Sequence, residues 1–143
     1  MNLLSKRSVL AIAAVVDIAL YAGQKLVAAK SLADRHGLPP RHLEVLLQGL
    51  AQANILKGVR GPRGGYELAR DGREITGGEI VRTALALNAA DPNEIRASSK
   101  LLEEVIEPRI RKAGDSFLAN LDAITVEDLC AAAIAAKIIE DAN

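Results

Sequence analysis

The stretch that most constrains the fold is residues 29–70, AKSLADRHGLPPRHLEVLLQGLAQANILKGVRGPRGGYELAR. Leu43, Leu46, Leu47 and Leu50 recur at i, i+3, i+4 and i+7, which puts all four on one helix face and requires that face to be buried. Pro39 and Pro40 open this helix, where proline is tolerated because first-turn N–H groups have no intrahelical acceptor. Arg41, His42, Glu44, Val45 and Gln48 are left on the other face. Upstream, Leu32 and Ala33 followed by a stop at Gly37 define a helix of about eight residues. Two short helices joined by a tight glycine-containing turn form a helix-turn-helix candidate. Downstream, Ile55 and Val59 on one arm and Tyr66 and Leu68 on the other read as a β-hairpin. Gly61, Pro62, Gly64 and Gly65 crowd its bend, where glycine supplies positive φ and proline a preset one. A hairpin directly after a helix-turn-helix is a wing. This one is basic, with Lys57, Arg60, Arg63 and Arg70, and its narrow, positive tip suits insertion beside phosphates or into a minor groove.

The remaining chain surrounds this unit with helices. Val9, Ile12, Ala13, Val16, Ala19 and Leu20 give helical spacing from about Lys6 to Tyr21, with Gly23 as the stop. Thr76-Gly-Gly-Glu79 has the form of a capping box and opens a helix from about Gly77 to Leu87. The polar segment Asn88 to Lys100 carries Pro92, has no clear period and reads as a loop. Leu101, Leu102, Val105, Ile106, Ile110, Phe117, Leu118 and Leu121 then resume helical spacing, with Pro108 expected to break or kink the run. A helix this long, after a unit that closes its own core, needs a second chain to bury its stripe. Thr125-Val-Glu-Asp128 starts a final Ala-rich helix expected to run through Ile139. The organisation expected is therefore a winged helix-turn-helix DNA-binding domain over residues 1–87 and a loop with dimerisation helices over 88–143. The fold class is mostly α with a small β-hairpin.

Composition sharpens this picture. The chain holds only two tyrosines, one phenylalanine and no tryptophan, so its core must be built from small aliphatic side chains. Dense packing of such residues favours helix on helix. The formal net charge of zero conceals an asymmetry: residues 1–75 hold 11 Lys/Arg against 6 Asp/Glu, a balance of +5, and residues 76–143 hold 7 against 12, a balance of −5. Such a split is expected when one half meets a polyanion and the other does not. No apolar run approaches the roughly 20 residues of a membrane span. Lys6 and Arg7 ahead of an apolar run imitate a leader peptide, but Asp17 interrupts that run, so a cytoplasmic protein without a membrane partner is expected. One cysteine, Cys130, excludes an intrachain disulfide and agrees with a reducing compartment.

The opening LLSKRS, VVDIA, LADRHGLPPRHLEVLLQGLAQANIL, the wing VRGPRGGYELAR, ITGGEIVRTAL and FLANLDAITVEDL together resemble the Rrf-two family of winged-helix transcriptional regulators, the family of IscR, NsrR and CymR. The matching residues span nearly the whole chain. The resemblance implies a DNA-binding regulator in which Arg60 is the wing arginine that enters the minor groove. It also marks departures. Leu10 stands where the family favours tyrosine, His42 where it favours an aromatic ring, and Ala28 where it favours a Ser or Thr cap. Cluster-binding members carry a cysteine-rich loop between the two halves. Here that loop, NAADPNEIRASSK, has no cysteine. Fe–S clusters are held mainly by thiolates, usually about four, so neither a cluster nor another cofactor is expected.

The candidate DNA contacts are Arg41, His42 and Glu44 in the first turns of the second short helix, and Lys57, Arg60 and Arg63 in the wing. Arg41 is suited to guanine and Glu44 to the cytosine amino group. Lys57, Lys6 and Arg7 are suited to phosphates. The bland alternative for each is a solvated charge. Apolar neighbours and Glu127 and Asp128 favour a packed Cys130 over a redox switch. With two histidines and one cysteine, neither a metal set nor a nucleophile–base pair is visible, and no enzyme is expected. The reading is a homodimeric repressor without an iron–sulfur cluster, with an unidentified small-molecule or protein effector left open. The alternative is a winged-helix protein-interaction module without useful DNA affinity.

Overall fold

The computed structural model describes residues 4–87 and 97–138. Helix α1 spans Lys6–Leu20 and is capped by Ser5, whose Oγ accepts from the Ser8 N–H at 3.2 Å. Helix α2 spans Ala29–His36. Its cap residue, Ala28, offers no side-chain acceptor, which costs about 0.5–2 kcal/mol relative to Ser or Thr. Gly37 ends α2 in the left-handed region at φ 64, and the Leu38 N–H reaches back to the Ala33 carbonyl at 2.9 Å. Helix α3 spans Pro40–Gln52. Asn54 at φ 61 terminates it, with the Ile55 N–H donating to the Leu50 carbonyl at 3.0 Å. Asparagine tolerates that conformation better than most residues, so the turn directs the chain straight into the hairpin.

Strands β1 (Leu56–Val59) and β2 (Gly65–Leu68) pair antiparallel, in register from Leu56 opposite Leu68 to Val59 opposite Gly65. Val27, just before α2, exchanges backbone hydrogen bonds with Tyr66, at 3.0 and 2.8 Å, and so seats the hairpin on the helical unit. Helix α4 spans Gly77–Leu87. Only half of the expected box caps it. Thr76 Oγ1 accepts from the Glu79 N–H at 3.1 Å, but the Glu79 carboxylate is taken by Arg70. The fully reciprocal box is the one at Thr125 and Asp128, which starts α6 (Val126–Ala135).

The run beginning at Leu101 narrows one expectation, and the last helix corrects another. Pro108 does not end the helix: Leu101–Ile106 is wound as π-helix and passes directly into α5, Glu107–Asp122. Proline has no N–H and its ring crowds the carbonyl four residues back. Here the ladder ahead of it is widened, with the Glu107 N–H bonded to the Leu102 carbonyl, and the Arg109 side chain supplies a donor to the Val105 carbonyl at 3.0 Å. Helix α6 stops earlier than expected. Lys137 turns left-handed at φ 59, and the Ile138 N–H closes back onto the Ala133 carbonyl at 3.1 Å. Ile139 lies outside the described residues.

The core joins the faces of α1, α2, α3 and α4 with Ile55, Leu56, Ile75 and Val126, and every apolar side chain in it is aliphatic. Tyr21 and Tyr66 pack against its edge. Helix α6 returns to α1, and backbone bonds from Gly77 to Ile124 (2.7 Å) and from Val126 to Ile75 (2.9 Å) pin its start beside that of α4. Arg82 clamps Asp122 with two bonds of 2.6 and 2.9 Å, fixing α5 against α4. Near that clamp Phe117, Leu118 and Leu121 are half-buried, but earlier in the run Leu101, Val105 and Ile106 of the π-helical segment and Ile110 of α5 are exposed, Ile110 to 66%.

Candidate nucleic-acid interface

The leucine stripe of α3 is fully buried: Leu43, Leu46, Leu47 and Leu50 each have 0% exposure. Burying one face fixes the rotation of the helix and therefore decides which side chains face solvent. Arg41, Glu44, Val45 and Gln48 follow i, i+3, i+4, i+7 themselves, and all four are exposed. They form a second stripe opposite the leucines. Sequence reasoning assigned Arg41 and Glu44 as contacts and passed over Val45 and Gln48, although the same spacing rule contained them. His42 is exposed too, but on a flank of α3, where it borders a cavity with Lys6, Arg7 and His36. The structure thus groups Arg41 with Glu44 and separates His42 from both.

The wing continues the α3 surface. Gln48, Val59, Arg60 and Tyr66 line one cleft of about 290 Å³ between α3 and the hairpin. Burial of the Tyr66 hydroxyl, and next the charge of Glu44, hold that phenol above its ordinary pKa, which records how near the helix lies to the hairpin. The bend between β1 and β2 needs its glycines. Gly61 has φ 120, and a Cβ on Gly64 would lie 2.2 Å from the Val59 carbonyl oxygen, so only glycine fits that close approach. Arg60 and Arg63 are held at this tip, and both are exposed.

Ion pairing separates structural cations from the rest. Arg35 binds Asp17 through two bonds of 2.9 and 2.6 Å, and His36 Nε2 meets the same carboxylate at 3.0 Å, which ties α2 to α1. Arg70, counted with the wing's basic residues in the sequence, is consumed by the Asn54 carbonyl at 2.9 Å and the Glu79 carboxylate. Lys57 sits opposite Glu67 in the ladder, at a loose 4.0 Å. Arg41, Arg60 and Arg63 make no ion pair among the described residues. All three are exposed, and Arg60 shares a cleft with Gln48 of α3.

Residues 4–132 match the family described as Rrf2, iron-dependent transcriptional regulator. The chain belongs to the Rrf2 family. An rrf2-like HTH-type transcriptional regulator of Rhodobacter capsulatus is 33% identical over 120 residues, covering 78% of this chain and 80% of that protein. The HTH-type regulator CymR of Bacillus subtilis is 31% identical over 114 residues, covering 80% and 79%. Among solved structures, T. potens IscR superposes with a TM-score of 0.69 at 32% identity, over 92% of this chain and 88% of that one. The chain is accordingly a DNA-binding transcriptional regulator on a winged-helix fold, not an enzyme.

The family description raises the question of iron. No group of three or more His, Cys, Asp or Glu side chains among the described residues converges to hold a metal. The chain's one cysteine, Cys130, is half-buried with Sγ 4.0 Å from the Val16 carbonyl. Burial first, then Glu127, push its thiol pKa up, the opposite of what a thiolate ligand needs. This donor set does not fit a cluster held by about four thiolates. Asp91 and Glu94, the carboxylates of the cysteine-free segment, lie outside the described residues. No helix among the described residues is long and apolar enough to cross a membrane.

Proposed function

We propose that this Rrf2-family regulator works as a homodimeric repressor that reads duplex DNA with the exposed stripe of α3 and steadies itself with the wing. One observation carries the reading: Arg41, Glu44, Val45 and Gln48 stand opposite a fully buried leucine stripe and run across a shared cleft to Arg60. A recognition helix enters the major groove with its N-terminal residues against base edges. Arg41 suits the paired acceptors of guanine, and Glu44 accepts from the cytosine amino group. Val45, half exposed at 50%, offers a methyl surface for thymine, and Gln48 suits adenine. Arg60 enters the neighbouring minor groove. Arg63 and Lys57 meet phosphates beside it, and His42, on the flank, faces the backbone rather than a base.

Dimerisation is supported by the exposed apolar run Leu101, Val105, Ile106 and Ile110, which no part of the described chain covers. A two-fold pair through this run presents two reading helices, so the operator is an inverted repeat. Repression follows from occupying a promoter, and the site of action is the cytoplasm, where the DNA is. Selection of bound sequences from a random duplex library tests the reading. An enriched inverted repeat supports it; no enrichment transfers the fold to a protein-interaction role.

A further inference from the structure

Of the wing's basic residues, Lys57, Arg60 and Arg63 are exposed, whereas Arg70 is half-buried. Its guanidinium reaches two other elements at once. Nε donates to the Asn54 carbonyl at 2.9 Å, Nη2 donates to the Glu79 carboxylate, and Nη1 is aimed at the Glu74 carbonyl at 3.5 Å. Asn54 is the left-handed residue that ends α3, and Glu79 stands in the first turn of α4. One planar fork therefore ties the foot of the hairpin to the end of α3 and to the start of α4, which the point charge of a lysine could not do. The anchor is itself fixed. Arg82, one turn further along α4, clamps Asp122 of α5 with bonds of 2.6 and 2.9 Å, and a side chain on Gly78 would collide with the same Asp122 carboxylate. Glu79, for its part, gives up the return bond of a capping box and holds Arg70 instead.

The consequence is one of leverage. Val27 holds the hairpin along the outer edge of β2, through its backbone exchange with Tyr66 at 3.0 and 2.8 Å, and Arg70 holds it at the foot. Arg70 lies five residues past Gly65, where β2 begins, about 17 Å along an extended chain. A tilt of about 10° at the foot thus displaces the tip by about 3 Å, half the roughly 6 Å width of a minor groove. We propose that Arg70 is a positioning residue for DNA reading. Its bonds to Asn54 and Glu79 set the angle of the wing on α3, so that Arg60 meets the minor groove while α3 occupies the neighbouring major groove. The inference rests on the reading of α3 and the wing as the DNA surface. Arg70 acts through Arg60 and touches no DNA itself.

Two variants of the full-length protein test this. Glu79→Ala removes the anchor and Arg70→Lys removes the fork, and neither takes a positive charge off the protein. Attraction to phosphates alone predicts unchanged or tighter binding for Glu79→Ala, because a negative charge is gone. Positioning predicts the opposite sign. Fluorescence anisotropy on the selected operator should show each variant about tenfold weaker than wild type, with affinity for a random-sequence duplex unchanged or raised. Adding Arg60→Ala should cost about tenfold in the wild type and less than about threefold in either variant, because a displaced wing has no contact left to lose. A general loss of stability would leave the cost of Arg60→Ala the same in every background. Residual dipolar couplings of the DNA-free protein should show the β1 and β2 amides reoriented against α3, with α1 and α3 unchanged relative to each other. Each variant serves if the other does not fold. Operator binding as tight as wild type, an undiminished cost of Arg60→Ala, or unchanged wing couplings overturns the proposal. Failure of the wild type to select any duplex instead refutes the reading of α3 and the wing, and the couplings alone then decide whether Arg70 sets the hairpin's angle.

Discussion

Replacing Ile110 by Glu separates assembly from folding. Ile110 is 66% exposed in the single chain, so a carboxylate there meets water in the monomer and should change its stability by no more than about 0.5 kcal/mol. In a dimer that covers the α5 stripe, the same position loses its apolar burial. Fully burying an aliphatic side chain contributes about 1.5–3 kcal/mol; two-thirds of that, in each of two copies, comes to roughly 2–4 kcal/mol. The dimer Kd should rise by about 30- to 900-fold, and further where the carboxylate is desolvated without a partner. Leu118 would report less cleanly, because it is already half-buried on its own fold. Sedimentation equilibrium over a range of concentrations measures the constant, and circular dichroism melting of the dilute protein checks the fold. A Kd that moves less than about threefold, or a wild type that is monomeric at micromolar concentration, refutes the reasoning.

Three further outcomes are expected. Val45→Ala should weaken the selected operator by a factor that disappears when the thymine it faces is replaced by deoxyuridine; an equal loss on both duplexes would mean Val45 touches no methyl group. The hydrogen bond from Arg82 holds the Asp122 pKa below its ordinary 3.8, so the carboxylate contributes stability that is full above that value and lost as pH falls through the folded-state pKa. The stability difference between wild type and Asp122→Asn should therefore shrink on acidification from pH 6, while Asp71, held at about 2 by Arg73, titrates in both proteins alike. Protein purified anaerobically should lack cluster absorption, and Cys130→Ala should leave the response of DNA binding to oxidants unchanged. Stoichiometric iron with a visible chromophore would contradict the fit of this donor set.

What could be read from the sequence was local. The Leu43–Leu50 stripe, the stop at Gly37 and the glycine-crowded bend each follow from one element's own period or turn chemistry, and the observed elements agree with them. The partners of charged side chains could not be read this way. Arg70 looks like a wing cation until the fold carries it to Glu79 and the Asn54 carbonyl, and the Arg82–Asp122 clamp joins residues forty positions apart. His42 is one residue from Arg41, yet helix rotation turns it toward the cavity, a distinction that exists only once the buried face is fixed. Lys137 ending α6 and the π-helical entry to α5 were missed because neither carries a glycine, the usual signal for a stop, and because a proline predicts that the ladder must change without saying how.

The most direct test of the central claim is a fluorescence anisotropy titration of the selected operator with wild type and Arg60→Ala over a series of salt concentrations. The wild type should bind with an affinity that falls steeply as salt rises, because each neutralised phosphate releases condensed counterions. Arg60→Ala should lose roughly 1–3 kcal/mol, the scale of one good specific contact. A wild-type affinity insensitive to salt, or an Arg60→Ala variant that binds as tightly as the wild type, would contradict the assignment of α3 and the wing as the surface that reads DNA.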